Sequence, residues 1–549
     1  MKFKYSFFIK KYILCLLFLF FLSIIFSLYG CERKAGIEPI HIGINQIKTV
    51  NPFTATSYEE RIISNLLHGS LFSLSQNKMK YIPEIASSFS IKKDRVMIRI
   101  RKNIQDQNGD SIDSEYLSTY FSFFSKLKEE NNLIEPFDIS SLNISYDKDY
   151  LMINFQDNEE LNSNIKKVSS LFVFPVLSPK NFESIQKNFA NIYNYATKPV
   201  NNNINNLDLF STGIWKLDSI CDENIVLSIN NARAQNKNFA EKKLVFDIFQ
   251  NSSEIITQLV NGKIDICFGD FKDHNFLREF RSIKSYEIND PQSVYILLFN
   301  YNSPNTFARR LNNDIRFRQL IYEMLYKQFS SFKYISSSFI VKKEKYVSGS
   351  FKNRISELYS YYKEDENKDN PAEINENTKE ISTISIYSIV DDEFSNSLST
   401  RIYETLTENG LNFDLFIESL NSIIARIYAT NNWDMLVTAL PMDYPIFFDP
   451  DFFKSNEYEN ISWLSTEEIK DENIHKIEKY ILKNNILLLK NPGNFYKSID
   501  KMVLKSFFYI PLDCKKLYLF ARREIKNIKP QFSGNTWMLD CNNMLDIRK

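Results

Sequence analysis

Between Leu66 and Phe124 the hydrophobic period switches from helix to strand and back to helix, which leaves few folds open to the chain. Ile62-Ile63-Ser64-Asn65-Leu66-Leu67-His68-Gly69 is an apolar helical run whose closing glycine suits a left-handed C-cap. Ser70-Leu71-Phe72-Ser73-Leu74 follows, with a turn at Ser75-Gln76-Asn77 before Tyr81-Ile82-Pro83-Glu84-Ile85-Ala86. Apolar and polar residues then alternate through 88–91 and 95–101 around Lys92-Lys93-Asp94, which predicts a β-hairpin with one buried face. A loop on Asn108-Gly109-Asp110 and an aromatic-rich helix over 114–128 close the unit.

The first thirty residues read as a targeting segment. Lys10-Lys11 precede an apolar run over 13–28, and Leu28-Tyr29-Gly30-Cys31 ends it as a lipobox, a small residue just before a cysteine whose thiol receives diacylglycerol. We therefore expect a lipoprotein signal peptide at 1–30, lipid (palmitate) at Cys31 and a tether over 31–39. The run is shorter than the roughly 20 residues of a typical membrane span, so an uncleaved signal anchor is the weaker reading.

The chain carries 67 basic and 67 acidic residues, and Lys2, Lys4, Lys10 and Lys11 all precede Cys31. The processed protein is thus mildly acidic, which argues against nucleic acid as a partner. At 549 residues it should divide into two or three domains. Glycine is scarce, 12 in all, against a usual share of about 7%. We read this, with abundant Lys, Asn and Ile, as a coding bias that blurs turn motifs. Cys221, Cys267, Cys514 and Cys541 show no CxxC spacing and no nearby histidine, so no metal site is expected. Disulfides and buried free thiols remain equal alternatives for them.

Farther on, 142–144 and 151–155 read as strands within a region, 137–200, taken as mostly β. Asn201 to Asn206 is a polar linker. The runs 225–230 and 243–249 are strands, and Ser252 is expected to cap a helix through Val260. A second linker, acidic and asparagine-rich, covers 361–380. Beyond it, strands over 381–390, 411–417 and 433–439 enclose helices around 398–406 and 423–428, a βαβαβ order that implies a parallel α/β lobe. Ligands of such sheets gather past the strands' carboxyl ends, where Leu440-Pro441-Met442-Asp443-Tyr444 lies. There is no GxSxG, HExxH, P-loop or GxGxxG, and the four histidines are far apart, so no catalytic residue, metal or cofactor is assigned and an enzyme is not expected.

The order of these pieces resembles the extracytoplasmic solute-binding proteins of family 5, the dipeptide- and oligopeptide-binding receptors of ABC importers. Leu67-His68-Gly69-Ser70-Leu71 resembles Y-E-G-L, and Pro83-Glu84-Ile85-Ala86-Ser87-Ser88-Phe89 resembles P-x-L-A-x-S-W, with Phe89 in place of tryptophan. Ile100-Arg101-Lys102-Asn103-Ile104 is similar to L-R-x-G-V, Asn103 replacing glycine, and Asn108-Gly109-Asp110 to D-G-x-P. Ser211-Thr212-Gly213-Ile214-Trp215-Lys216-Leu217 resembles G-T-G-P-Y-x-L, and Asn261-Gly262-Lys263-Ile264-Asp265-Ile266 resembles G-x-x-D-I. Asp314-Ile315-Arg316-Phe317-Arg318-Gln319 is similar to D-x-R-V-R-Q, its aspartate read as a helix N-cap and its arginines as facing carboxylates. Tyr509-Ile510-Pro511-Leu512 matches an I-P-L phrase.

The resemblance implies an α/β, periplasmic-binding-protein-like (type II) fold. Lobe I would take 40–69, 207–297 and 505–549, a smaller β-rich domain 70–206, and lobe II 298–504, with a hinge between the lobes. It implies a monomeric, lipid-anchored receptor in the bacterial cell envelope that hands peptides to separate permease and ATPase subunits. The peptide's ammonium would meet Asp443 beside Tyr444, with Asp449 in reserve because Asp449-Pro450 lies later than the family phrase. The alternative keeps the fold for another small solute, or for a surface sensor or adhesin uncoupled from uptake.

Overall fold

Runs rich in Ile, Val, Phe and Tyr write the strands of this chain. The computed structural model describes residues 39–55, 57–75, 80–126, 138–194, 209–230, 233, 243–269, 271–328, 383–390, 392–439, 472–526, 528, 530–533, 536–539 and 545–546. Cys31 with the leader, both linkers, and the segment carrying Asp443, Tyr444 and Asp449 lie outside the described residues. In the described part no helix is long and apolar enough to cross a membrane.

The N-terminal half supplies β1 (Ile40–Asn45), β2 (Phe72–Ser75), β3 (Lys80–Pro83), β4 (Ala86–Lys92), β5 (Arg95–Ile100), β6 (Asn143–Asp147) and β7 (Tyr150–Asn154). Then come β8 (Trp215–Ile220), β9 (Asn224–Ile229), β10 (Lys243–Phe249), β11 (Ile266–Gly269) and the long β12 (Ile283–Phe299). The C-terminal half adds β13 (Ile384–Ile389), β14 (Phe413–Glu418), β15 (Met435–Ala439) and a second long strand, β16 (Tyr509–Arg522). Four short strands finish the chain: β17 (Ile525–Lys526), β18 (Pro530–Ser533), β19 (Thr536–Leu539) and β20 (Leu545–Asp546).

Ten strands form one sheet in the order β14-β13-β15-β12-β16-β11-β1-β10-β9-β8. At one end β13 runs parallel to β14 and β15, and at the other β1 runs parallel to β10 and β11. The expected βαβαβ order is therefore present, with its helix over Glu393–Glu408 ending before Gly410 at φ +93°. The antiparallel pair β12 and β16 joins the two parallel clusters.

A separate antiparallel sheet, β4-β5-β7-β6, contains the expected hairpin. Its inner face pairs Val96 with Ile153 and Ile98 with Leu151, and the helix Ser114–Ser125 covers it with Leu117, Tyr120, Phe121 and Phe124. Phe124 stacks on Phe53 at 5.5 Å and leans on Phe174 at 5.2 Å, contacts worth about 0.5–1.5 kcal/mol each beyond their buried area. β2 pairs with β3 and, through Ser75, with Ser533 of β18.

Several sequence expectations change. Gly69 is no left-handed cap: the helix Tyr58–Leu67 ends on extended His68, and Gly69 bridges Val176. A Cβ there would come within 3.0 Å of the Thr212 carbonyl, so close packing sets the need for glycine. The region after β7 is helical rather than β, over Asn158–Ser163, Ile165–Val173, Pro179–Lys187 and Asn191–Asn194. The helix Ser252–Val260 is capped by Asn251, whose side chain accepts from the Glu254 N–H. Asp314 precedes the helix Ile315–Gln328 and pairs with Arg316 at 2.6 Å, and Arg318 donates to the carbonyls of Asn312 and Ser506. Asn103 adopts left-handed backbone at φ +59°, a conformation asparagine tolerates better than most residues. Cys221 is exposed and free, and Cys267 is buried and free, its thiol pKa pushed well up by burial.

His68 is buried, and desolvation lowers its pKa from 6.5 to about 3. Between those values the unfolded chain binds the proton that the native chain refuses. Stability is therefore complete above pH 6.5 and falls as pH drops toward 3. The expected loss from pH 6.5 to 4 is on the order of 3 kcal/mol. Urea unfolding across that range should show a shallower pH dependence for His68→Gln, by about one proton.

Candidate functional site

The register of the long strands defines a crossing with strand ends aimed at it from both sides. β11 ends with Gly269 opposite Tyr518, which is itself opposite Glu287 of β12. β15 ends with Ala439 opposite Tyr295. The carboxyl ends of the two parallel clusters thus face each other across β12 residues 287–295, roughly 25 Å of extended chain at most. Such ends are where α/β sheets collect ligands.

The ladder breaks at the same place. Asn289 pairs with Lys516 and Val294 with Cys514, so five steps along β12 answer two along β16. Pro291 lies inside this bulge, where its missing N–H costs no ladder bond. A second irregularity follows between Tyr295 and Ile296. Among the described residues two strands cross here, and both are locally irregular, which is a natural point for bending.

On the β13–β15 side, Tyr295 donates its hydroxyl to Asp392 at 2.6 Å. Asp392 also caps the helix Glu393–Glu408, accepting from the N–H groups of Phe394 and Ser395. At the end of β14, Glu418 accepts a forked bond from Arg426, at 2.8 and 2.7 Å, and another from Ser422 at 2.6 Å. The Arg426 bond holds the Glu418 carboxyl below its usual pKa, and the same pairing raises that of Arg426. Arg426 also lies over the Tyr387 ring, 5.0 Å from its centroid, and Tyr387 stacks on Phe416 at 5.2 Å. Around this ion pair Val390, Phe416, Ile417, Leu420 and Ile424 are exposed apolar side chains.

On the opposite side the rim carries side-chain amides. Asn45 donates to Glu59 at 3.0 Å and Gln46 to Gln250 at 3.0 Å. Beside them His274 stacks on Tyr518 at 4.3 Å. Gly269 allows Asp273 to pack against the strand end, since a Cβ would lie 2.5 Å from its carboxylate. Amides, aromatic rings and apolar side chains can hold a polar solute without performing chemistry on it. Among the described residues no group of three or more His, Cys, Asp or Glu could hold a metal ion.

Asp443 and Tyr444, with Asp449 in reserve, follow β15 by a few residues and lie outside the described residues, so their geometry is not part of this site. Sequence reasoning missed the Tyr295–Asp392 and Glu418–Arg426–Tyr387 groupings. The only signal for Glu418 was its place at the end of a strand pattern.

No family model matches the chain, and no curated protein sequence matches it. Solved structures do. The ABC transporter substrate-binding protein CtaP from Listeria monocytogenes superposes with a TM-score of 0.65 at 14% identity, covering 93% of this chain and 99% of that one. The periplasmic murein tripeptide-binding protein MppA, in an unliganded open form, gives 0.65 at 13% identity over 89% of this chain and 94% of its own. A nickel ABC transporter structure from Bacillus halodurans gives 0.67 at 12% identity, over 92% and 99%.

Proposed function

We propose that this chain, which has the fold of the substrate-binding proteins of ABC importers, is an extracytoplasmic receptor that captures peptides for such an importer. The observation that carries the reading is the doubly irregular two-strand crossing with carboxyl ends on both sides, in a fold matched over nine-tenths of the chain by a murein tripeptide-binding protein and its kin. Lobe I is assigned to 40–69, 207–297 and 505–549, the smaller domain to 70–206, and lobe II to 298–504. The lobes would close by bending at the crossing. Peptide backbone would be held by strand-like hydrogen bonds and its side chains by loose, hydrated pockets. Asp443 is the proposed partner of the peptide ammonium, beside Tyr444, and permease and ATPase subunits are the proposed recipients.

The test is mass spectrometry of whatever dissociates when the purified protein is denatured, with elemental analysis of the same sample. Peptides in stoichiometric amount support the reading. The similarity to a nickel transporter structure favours a second reading, another small solute on the same fold. A stoichiometric metal complex without peptide would replace the first reading with the second.

Lipid at Cys31 is the proposed anchor. Cys31→Ser is expected to abolish incorporation of a fatty-acid probe and to release the protein from membranes. Unchanged labelling of that variant would refute the lipobox.

A further inference from the structure

The edge of the sheet opposite the crossing holds an unassigned basic cavity. Asp265 accepts from the His41 N–H and bonds the Arg522 N–H through its carbonyl, and Ile283 is paired with Arg522. The amino ends of β1, β11 and β12 and the carboxyl end of β16 therefore lie side by side. Just past them is a cavity of about 420 Å3 lined by Lys284, Tyr286, Arg523, Ile525, Lys526 and Ile528. This is within the usual size of a small-ligand site, but three of its six described lining residues are cations.

Lys284, Arg523 and Lys526 are exposed at its mouth, while Ile525 and Ile528 are buried. Neighbouring Arg522 is occupied, donating to the Gly262 carbonyl at 3.0 Å and lying 3.6 Å from Glu524. Among the described residues none of the three lining cations forms an ion pair. Lys284 rests over the Tyr286 ring at 5.1 Å. Three uncompensated cations around an aromatic and aliphatic floor are matched by a phosphate-type anion attached to something apolar.

The chain enters the fold on this same edge. From Ile40 to Ile283 is three strand spacings, about 15 Å. A tether over 31–39 reaches at most about 30 Å. We infer that this cavity binds the phosphate of an acidic phospholipid in the membrane to which Cys31 is anchored, a second contact beside the lipid that holds the receptor at the bilayer between deliveries. The inference rests on the anchoring proposed above.

The experiment uses the full chain, reconstituted into vesicles of phosphatidylcholine alone or with a third phosphatidylglycerol, and reads lysine acetylation rates by mass spectrometry. Lys284 and Lys526 should react at least about fivefold more slowly with the acidic lipid. Lys263, on the same edge but outside the cavity, and remote Lys187 should change less than about twofold. Arg523→Gln should remove most of the protection, as should screening by high salt. Equal slowing of Lys263, or no slowing of Lys284 and Lys526, overturns the inference. Inorganic phosphate added to neutral vesicles should leave all four lysines unchanged, and full protection by it would overturn the lipid as the source. Flotation on neutral vesicles reads the anchor separately. Loss of flotation with the lysine pattern intact would strike the anchor and leave the lipid site standing.

Discussion

Arg318→Leu is expected to destabilise the protein by about 3–5 kcal/mol, while Arg316→Leu, two residues away in the same motif, should cost about 1–2 kcal/mol. Arg318 is fully buried. Its guanidinium donates to the Asn312 carbonyl at 2.7 Å and to the Ser506 carbonyl at 2.9 and 3.2 Å, and sits 5.3 Å from the Tyr301 ring centroid. Both carbonyls belong to final turns, of the helices Thr306–Asn313 and Pro492–Ser506, where orphan acceptors and the helix dipole favour a cation. Leucine would leave two buried carbonyls without these donors, at about 1–3 kcal/mol each, and would not fill the volume. Arg316 is instead exposed itself, and the Asp314 carboxylate it pairs with would keep the Arg316 N–H as a donor. The position of Arg318 matters beyond stability. Ser506 leads through Phe507, left-handed at φ +49°, directly into β16, so this arginine fixes where the second crossing strand begins. Denaturant unfolding of the two variants checks the contrast. Equal losses would mean that the buried fork is not what holds these ends together.

Asp443→Asn is expected to weaken binding of free-amine peptides by at least about a hundredfold. If the aspartate meets the ammonium in a closed, dry cleft, neutralising it strands a buried charge at a cost on the order of 3–5 kcal/mol. N-acetylated peptides should bind the wild type poorly, and the substitution should matter little to them. Calorimetry with both peptide forms separates a charge-specific role from a general one. Equal loss for both, or none for either, would remove Asp443 from the site and bring Asp449 forward.

Legibility in the sequence followed physical locality. The β4–β5 hairpin and the β13–β15 unit were readable because each writes its own period within a short stretch of chain. The single ten-stranded sheet was not, because β12 and β16 meet only after more than two hundred residues. The helices after β7 were missed where short polar-capped segments carry too few turns to show a period. Turn signals were weak for a specific reason. Asn103, Ser141, Lys148, Asn431 and Phe507 all occupy left-handed backbone that glycine usually marks. The buried arginine could be seen as part of a motif, but the Asn312 and Ser506 carbonyls that accept from it are backbone groups, which no side-chain pattern announces. The rim groups and the basic cavity likewise join residues from distant strands.

The most direct test of the account is small-angle scattering from the purified protein, first emptied of ligand and then saturated with the peptide recovered from it. Closure of two lobes about the β12–β16 crossing predicts a smaller radius of gyration in the saturated sample, reversed when the peptide is removed. Superimposable curves, with calorimetry confirming saturation, would contradict a receptor that closes on its ligand.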